Sequence, residues 1–113
     1  MATLFSLTET DVSTGGVKGF NVSKVDTIAV GVTVVAASGT SPKLTVFVEM
    51  LGADGNWYQL WTATLTAAGQ KFTTIGPGAA TAGLAMGTLR FRWAISGTTP
   101  SFTFTAFCQG RET

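Results

Sequence analysis

Along much of this chain apolar side chains recur at every second position, a period that fits extended strands and not helices. In 88–96, Leu89, Phe91, Trp93 and Ile95 alternate with Arg90, Arg92, Ala94 and Ser96. Successive strand side chains point to opposite faces, so one face of this segment belongs to a core. The stretch 43–51 repeats the pattern, with Leu44, Val46, Val48 and Met50 against Thr45, Phe47, Glu49 and Leu51. No long segment carries apolar residues at i, i+3, i+4 and i+7, the stripe a helix needs. The chain reads as all-β.

Strands are expected over 3–7, 19–22, 27–36, 43–51, 57–64, 71–75, 88–96 and 101–109. The segment 27–36 sets Ile28, Val30, Val32 and Val34 on one face and Ala29, Gly31, Thr33 and Val35 on the other. Apolarity on both faces suits a central strand. Between strands stand Ser13-Thr14-Gly15-Gly16, Ala67-Ala68-Gly69 and Gly52-Ala53-Asp54-Gly55-Asn56. Asp-Gly is among the strongest short hairpin signals.

Two stretches are rough copies. Residues 38–52 align without a gap on 96–110, with six of fifteen positions identical, including Ser-Gly-Thr and Pro at the start of each copy. Glycine and proline in each copy predict a turn, so the repeat reads as a duplicated β-hairpin. It matches in character too, since Leu44, Val46, Val48 and Met50 fall opposite Phe102, Phe104, Ala106 and Cys108. Equivalent apolar rows predict two similar walls around one core. At 113 residues the chain fits one domain, here a single-domain antiparallel β-sandwich of about six to eight strands, jelly-roll-like. Residues 1–26 read as an amino-terminal arm with short strands in the same domain, and 27–113 as the sandwich core.

Composition bounds the function. Net charge is +1 with scattered basic residues, so no stripe exists for nucleic acid to follow. Arg90 and Arg92 are the one close basic pair and share a strand face. The absence of histidine removes Ser-His-Asp and Cys-His catalysis and every histidine metal site. Cys108, alone, closes no intramolecular disulfide and reads as a buried small hydrophobe. The acids Glu9, Asp11, Asp26, Glu49, Asp54 and Glu112 show no pairing in sequence that would make an acid/base site or a calcium cage. The expectation is no enzyme, no cofactor and no metal. No apolar run reaches membrane-spanning length and Met1–Ser6 lacks the features of a signal peptide, which predicts a product made soluble in the cytoplasm without a membrane partner.

With 12% charged against 45% hydrophobic residues, the surface must include apolar side chains, and such patches usually meet a partner. The uncharged loop 76–87, with Pro77, Leu84 and Met86, and the arm residues Leu4 and Phe5 are candidate contacts, together with Arg90 and Arg92. Aromatic faces stack on sugar rings. Trp57 and Trp61, which alternation puts on one face with Gln59 between them and Asn56 nearby, are therefore candidate glycan contacts, against the alternative that they serve the core or a subunit contact.

The run Gly52-Ala53-Asp54-Gly55-Asn56-Trp57-Tyr58-Gln59-Leu60, then Leu89-Arg90-Phe91-Arg92-Trp93, then Ser96-Gly97-Thr98-Thr99-Pro100-Ser101-Phe102-Thr103-Phe104 resembles the small β-sandwich virion proteins of tailed bacteriophages. The likeness covers roughly residues 38 to 110. A weaker one links the same hairpin to galactose-binding-like jelly rolls, whose members often bind glycans. The phage resemblance implies a capsid decoration or cement protein on the outer shell, a major capsid protein or other virion protein as partner, and a homo-oligomer, with a trimer favoured. A carbohydrate-binding or adhesion module on a head fibre or tail is the alternative.

Overall fold

The structure, a computed structural model, describes residues 2–22, 25–76 and 87–112. Six strands carry the chain: β1 (Ala2–Val12), β2 (Gly16–Asn21), β3 (Val25–Leu51), β4 (Trp57–Leu65), β5 (Gly69–Ile75) and β6 (Thr88–Glu112). Two of them are long. β3 and β6 run antiparallel beside each other from the Val25–Glu112 pair to the Met50–Leu89 pair. The short strands flank this ribbon, β1 and β2 on β6, and β4 and β5 on β3.

The ribbon belongs to both layers of a sandwich. One sheet has the order β1, residues 101–112 of β6, residues 25–38 of β3, then β5; the other has β2, residues 88–96 of β6, residues 43–51 of β3, then β4. Rings meet between the layers, Phe5 with Phe91 at 5.3 Å and Trp93 with Phe104 at 5.7 Å between centroids. The molecule is a jelly-roll β-sandwich with one core. Its inner faces are the alternating rows expected from the sequence: Ile28, Val30, Val32 and Val34; Leu44, Val46 and Val48; Leu89, Phe91 and Trp93; Phe102, Phe104, Ala106 and Cys108 are all buried. Phe5, Phe20 and Val22 of the amino-terminal arm join the same cluster.

One expectation from the repeat is corrected. Neither Ser38–Pro42 nor Ser96–Pro100 is a hairpin turn, and the four strands expected around them are two continuous ones. The copies instead pair with each other, through Ser38–Ser101, Thr40–Thr98 and Lys43–Ser96, with register shifts between these pairs. Here the ribbon leaves one sheet and enters the other. The bend uses left-handed backbone at Gly39 (φ 111°), Ser41 (50°), Gly97 (123°) and Thr99 (49°). Contacts are reciprocal: a Cβ on Gly39 would lie 2.6 Å from the Thr99 carbonyl oxygen, and one on Gly97 2.8 Å from that of Ser41. Glycine and proline here serve a bend between sheets and not the reverse turn that they predict.

The dyad implied by this crossing relates all six described strands. Exchanging β1, β2 and β3 with β4, β5 and β6 maps the pair Phe5–Cys108 onto Tyr58–Met50, Gly16–Trp93 onto Gly69–Val34, and Lys18–Phe91 onto Lys71–Val32. The fold is thus a pseudo-twofold arrangement of two three-strand halves. The short strands of each half hydrogen-bond to the long strand of the other, so neither half has a sheet of its own.

Gly39→Ala combines an unfavourable φ with a backbone clash and is expected to cost about 2–4 kcal/mol in urea unfolding. Gly55→Ala, at φ 86° but with open space around it, should cost about 1 kcal/mol. Equal losses would show that the close approach at the crossing carries no weight. Burial pushes the Cys108 thiol up to about 12, so at pH 8 it should react with a disulfide reagent only as fast as the protein unfolds.

Candidate functional site

Because the two halves satisfy the same backbone geometry, residues that the dyad relates on the outer faces face the same structural demands. Their chemistry differs. On the outer face of the second sheet, Glu49 of β3 stands between Arg90 and Arg92 of β6. Arg90 Nε donates to Glu49 Oε1 at 2.7 Å, and Arg92 donates through Nε to Oε1 at 3.0 Å and through Nη2 to Oε2 at 3.2 Å. Each guanidinium also lies on an aromatic ring, Arg90 4.1 Å above Trp57 and Arg92 3.9 Å above Phe47. Five side chains from three strands form one row: Trp57, Arg90, Glu49, Arg92, Phe47.

Strand register explains the row. Arg90 pairs with Glu49 and Arg92 with Phe47, and directly opposed residues of an antiparallel pair share a face with close Cβ atoms. Glu49 is held almost out of solvent, its side chain 10% exposed against 26% for Arg90 and 37% for Arg92. The Arg92 hydrogen bond is the largest influence lowering its pKa below 4.5; burial opposes it, and the Arg90 hydrogen bond and both cationic charges reinforce it. A carboxylate under two arginines stays charged.

The dyad-related place on the first sheet holds Phe107 for Glu49, Gly31 for Arg90 and Thr33 for Arg92. Phe107 lies on the bare backbone of Gly31, where a Cβ would overlap the ring. Phe72 of β5, paired to Gly31 on its other side, is 61% exposed and 6.5 Å from Phe107. Around these rings the face is Ser6, Thr8, Ala29, Thr33, Gln70, Thr74, Thr105 and Gln109. Val35, a bulge residue left out of the register, is 63% exposed beside it. Among the described residues charge comes only at the ends of this face, with Asp11 bonded to Thr103 and Arg111 opposite Thr27.

The expected glycan contacts do not form one surface. A bulge in β4 leaves Leu60 without a partner, so Trp57 and Gln59 pair with Leu51 and Glu49 on the outside while Trp61 pairs with Val48 and packs on the core. That single extra residue separates the two tryptophans, which simple alternation put together. Asn56 is tied to the turn, its backbone N–H donating to Asp54 Oδ1 at 3.0 Å and its Nδ2 to Oδ2 at 3.1 Å, and the Tyr58 hydroxyl donates to the same carboxylate. The Tyr58 hydrogen bond, then those of Asn56, hold the Asp54 carboxyl below its usual value.

Of the expected partner contacts, Leu4 is half-buried against the core and Phe5 is buried between Phe20 and Phe91. Arg90 and Arg92 are on the outer face already described. Pro77, Leu84 and Met86 lie outside the described residues. Among the described residues no three Cys, Asp or Glu side chains gather as metal ligands. Sequence reasoning missed Glu49, Phe47 and Phe72 as surface features. Glu49 was detectable as an acid at an outward strand position, but its opposition to Arg90 depends on a pairing 41 residues away.

No known protein family and no curated protein sequence matches the chain. Solved structures with the same fold include PirA, at TM-score 0.56 and 13% identity over 90% of this chain and 92% of that one. Another is TmCBM61 in complex with β-1,4-galactotriose, at 0.56 and 13% over 86% and 62%. Cowpea mosaic virus top component, a naturally occurring empty particle, matches at 0.54 and 12% over 97% and 82%. At such identities the likeness concerns the fold: a jelly roll shared by viral capsid proteins and by carbohydrate-binding modules.

The Glu49 cluster has a pH signature. Its folded pKa is lowered, so the stability it contributes is present above pH 4.5 and is lost as pH falls through the depressed value. Glu49→Gln should lower stability at pH 7 by about 1 kcal/mol and make the acid-side fall in urea midpoint shallower. An unchanged slope below pH 4.5 would mean that other carboxylates dominate acid unfolding.

Proposed function

We propose that this chain is a virion structural protein, a capsid decoration or cement protein of a tailed bacteriophage that seats on the outer shell and stabilises it. The observation that carries this reading is the uncharged outer face of the first sheet. Phe72 and Val35 stand more than half exposed there, beside Phe107 on Gly31 and among threonines and glutamines. The domain does not need these exposed rings: the dyad-related position of Phe72 is Gly19. Removing such a face from water favours association at about 25 cal/mol per Å² of apolar area, and no buried ion has to be desolvated at its centre.

The partner in this reading is the major capsid protein or a neighbouring virion protein. Binding only the assembled shell stabilises that shell by mass action. A closed trimer around a local symmetry axis is the oligomer expected. The sequence resemblance to phage virion proteins and a fold also used by viral capsid proteins support the assignment.

Phe72→Glu tests it, because the side chain is exposed and the change should leave folding intact. Wild-type protein should be found in purified particles and should raise their thermal rupture temperature. The variant should fall at least about tenfold in occupancy, equivalent to about 1.4 kcal/mol per site. Absence of the wild type from particles, or full occupancy by the variant, would overturn the proposal.

A further inference from the structure

The arginine row on the opposite face of the sandwich is not dictated by the fold, since its dyad equivalents are Phe107, Gly31 and Thr33. We infer that the outer face of the second sheet, built on Arg90, Arg92, Trp57 and Gln59, binds the carboxylate groups of an acidic polysaccharide.

The charge is unbalanced. Two guanidinium groups share one carboxylate, an excess of one positive charge. Every hydrogen bond from Arg90 to Glu49 uses Nε, which leaves both Nη groups of Arg90 without an acceptor among the described residues. Arginine presents such groups as a fork that fits a carboxylate. Here the fork is held in advance, because stacking on Trp57 and hydrogen bonding to Glu49 fix its plane, so little side-chain freedom is lost on binding. Beside it Gly19 contributes no side chain, and a Cβ there would meet only the Leu89 carbonyl oxygen at 3.9 Å. Among the described residues, the space above Gly19, the strand neighbour of Arg90, is open.

A saccharide suits the surroundings better than an acidic peptide. The face is the flat side of a sheet, bearing Gln59, Thr62, Thr64 and Thr45 in the rows beside the arginines. Hydroxyl and amide groups match sugar hydroxyls, and the half-buried Trp57 indole offers an apolar edge for ring C–H groups. An extended peptide would need a free strand edge to pair with, and these residues are on a face. The site is opposite the apolar face proposed to meet the shell, so seating there would leave it turned outward.

Affinity electrophoresis of the isolated protein tests this without reference to any shell. The gels carry polygalacturonate, alginate or hyaluronate, with neutral dextran and poly-L-glutamate as comparisons. Retardation by at least one carboxylated polysaccharide, and by neither comparison polymer, is expected. Arg90→Gln and Arg92→Gln should each weaken it about tenfold or more. Glu49→Gln should strengthen it, because the competing internal carboxylate is gone; a cluster with a purely structural role would not behave so. Far-UV circular dichroism confirms that each variant is folded. No retardation by any of the three polysaccharides would overturn the inference. So would equal retardation by dextran, unchanged binding by both arginine variants, or retardation by polyglutamate alone, which would mark an acidic protein partner instead.

Discussion

The structure depends on the pairing of β3 with β6 along their full length. Every other strand hydrogen-bonds to one of these two, so the sheets exist only once the ribbon has formed. Its residues are far apart in sequence, and closing that distance costs chain entropy before any packing returns it. The return comes from apolar rows that face each other when the ribbon bends at Ser38–Pro42 and Ser96–Pro100 and the two layers meet. The left-handed glycines at the bend are the local condition for that packing.

Dyad symmetry separates what the fold requires from what it merely permits. Inner positions of the two long strands are apolar in both halves, because both walls enclose the same core. Outer positions are released from that demand, and there the two sheets diverge, one carrying Phe107 on Gly31 beside Phe72, the other a carboxylate between two arginines. The sandwich thus presents one largely uncharged face and one cationic, aromatic face.

Strand positions and inner faces were legible in the sequence because alternation over five or more residues is a local property, and burial followed it at Ile28 to Val34, Leu44 to Val48, Leu89 to Trp93 and Phe102 to Cys108. The repeat was legible, but its geometry was not. A Ser-Gly-Thr-Ser-Pro segment satisfies the requirements of a reverse turn and equally those of a bend between sheets. Only the partner strand decides which one forms. The tryptophans diverge for a related reason: the bulge at Leu60 puts Trp57 and Gln59 on the face opposite to Trp61, and nothing in Trp57–Trp61 alone reveals the insertion.

By itself the sequence determined an all-β domain with one core, the inner side chains of that core, and the lack of any histidine-based chemistry, since these depend on residue identity and on period-two spacing. Tertiary structure alone decided that the repeated segments cross, that Trp61 turns inward while Trp57 meets Arg90, and that Glu49 lies between two arginines. Those outcomes rest on strand register across long separations, where a shift of one residue moves a side chain from core to solvent.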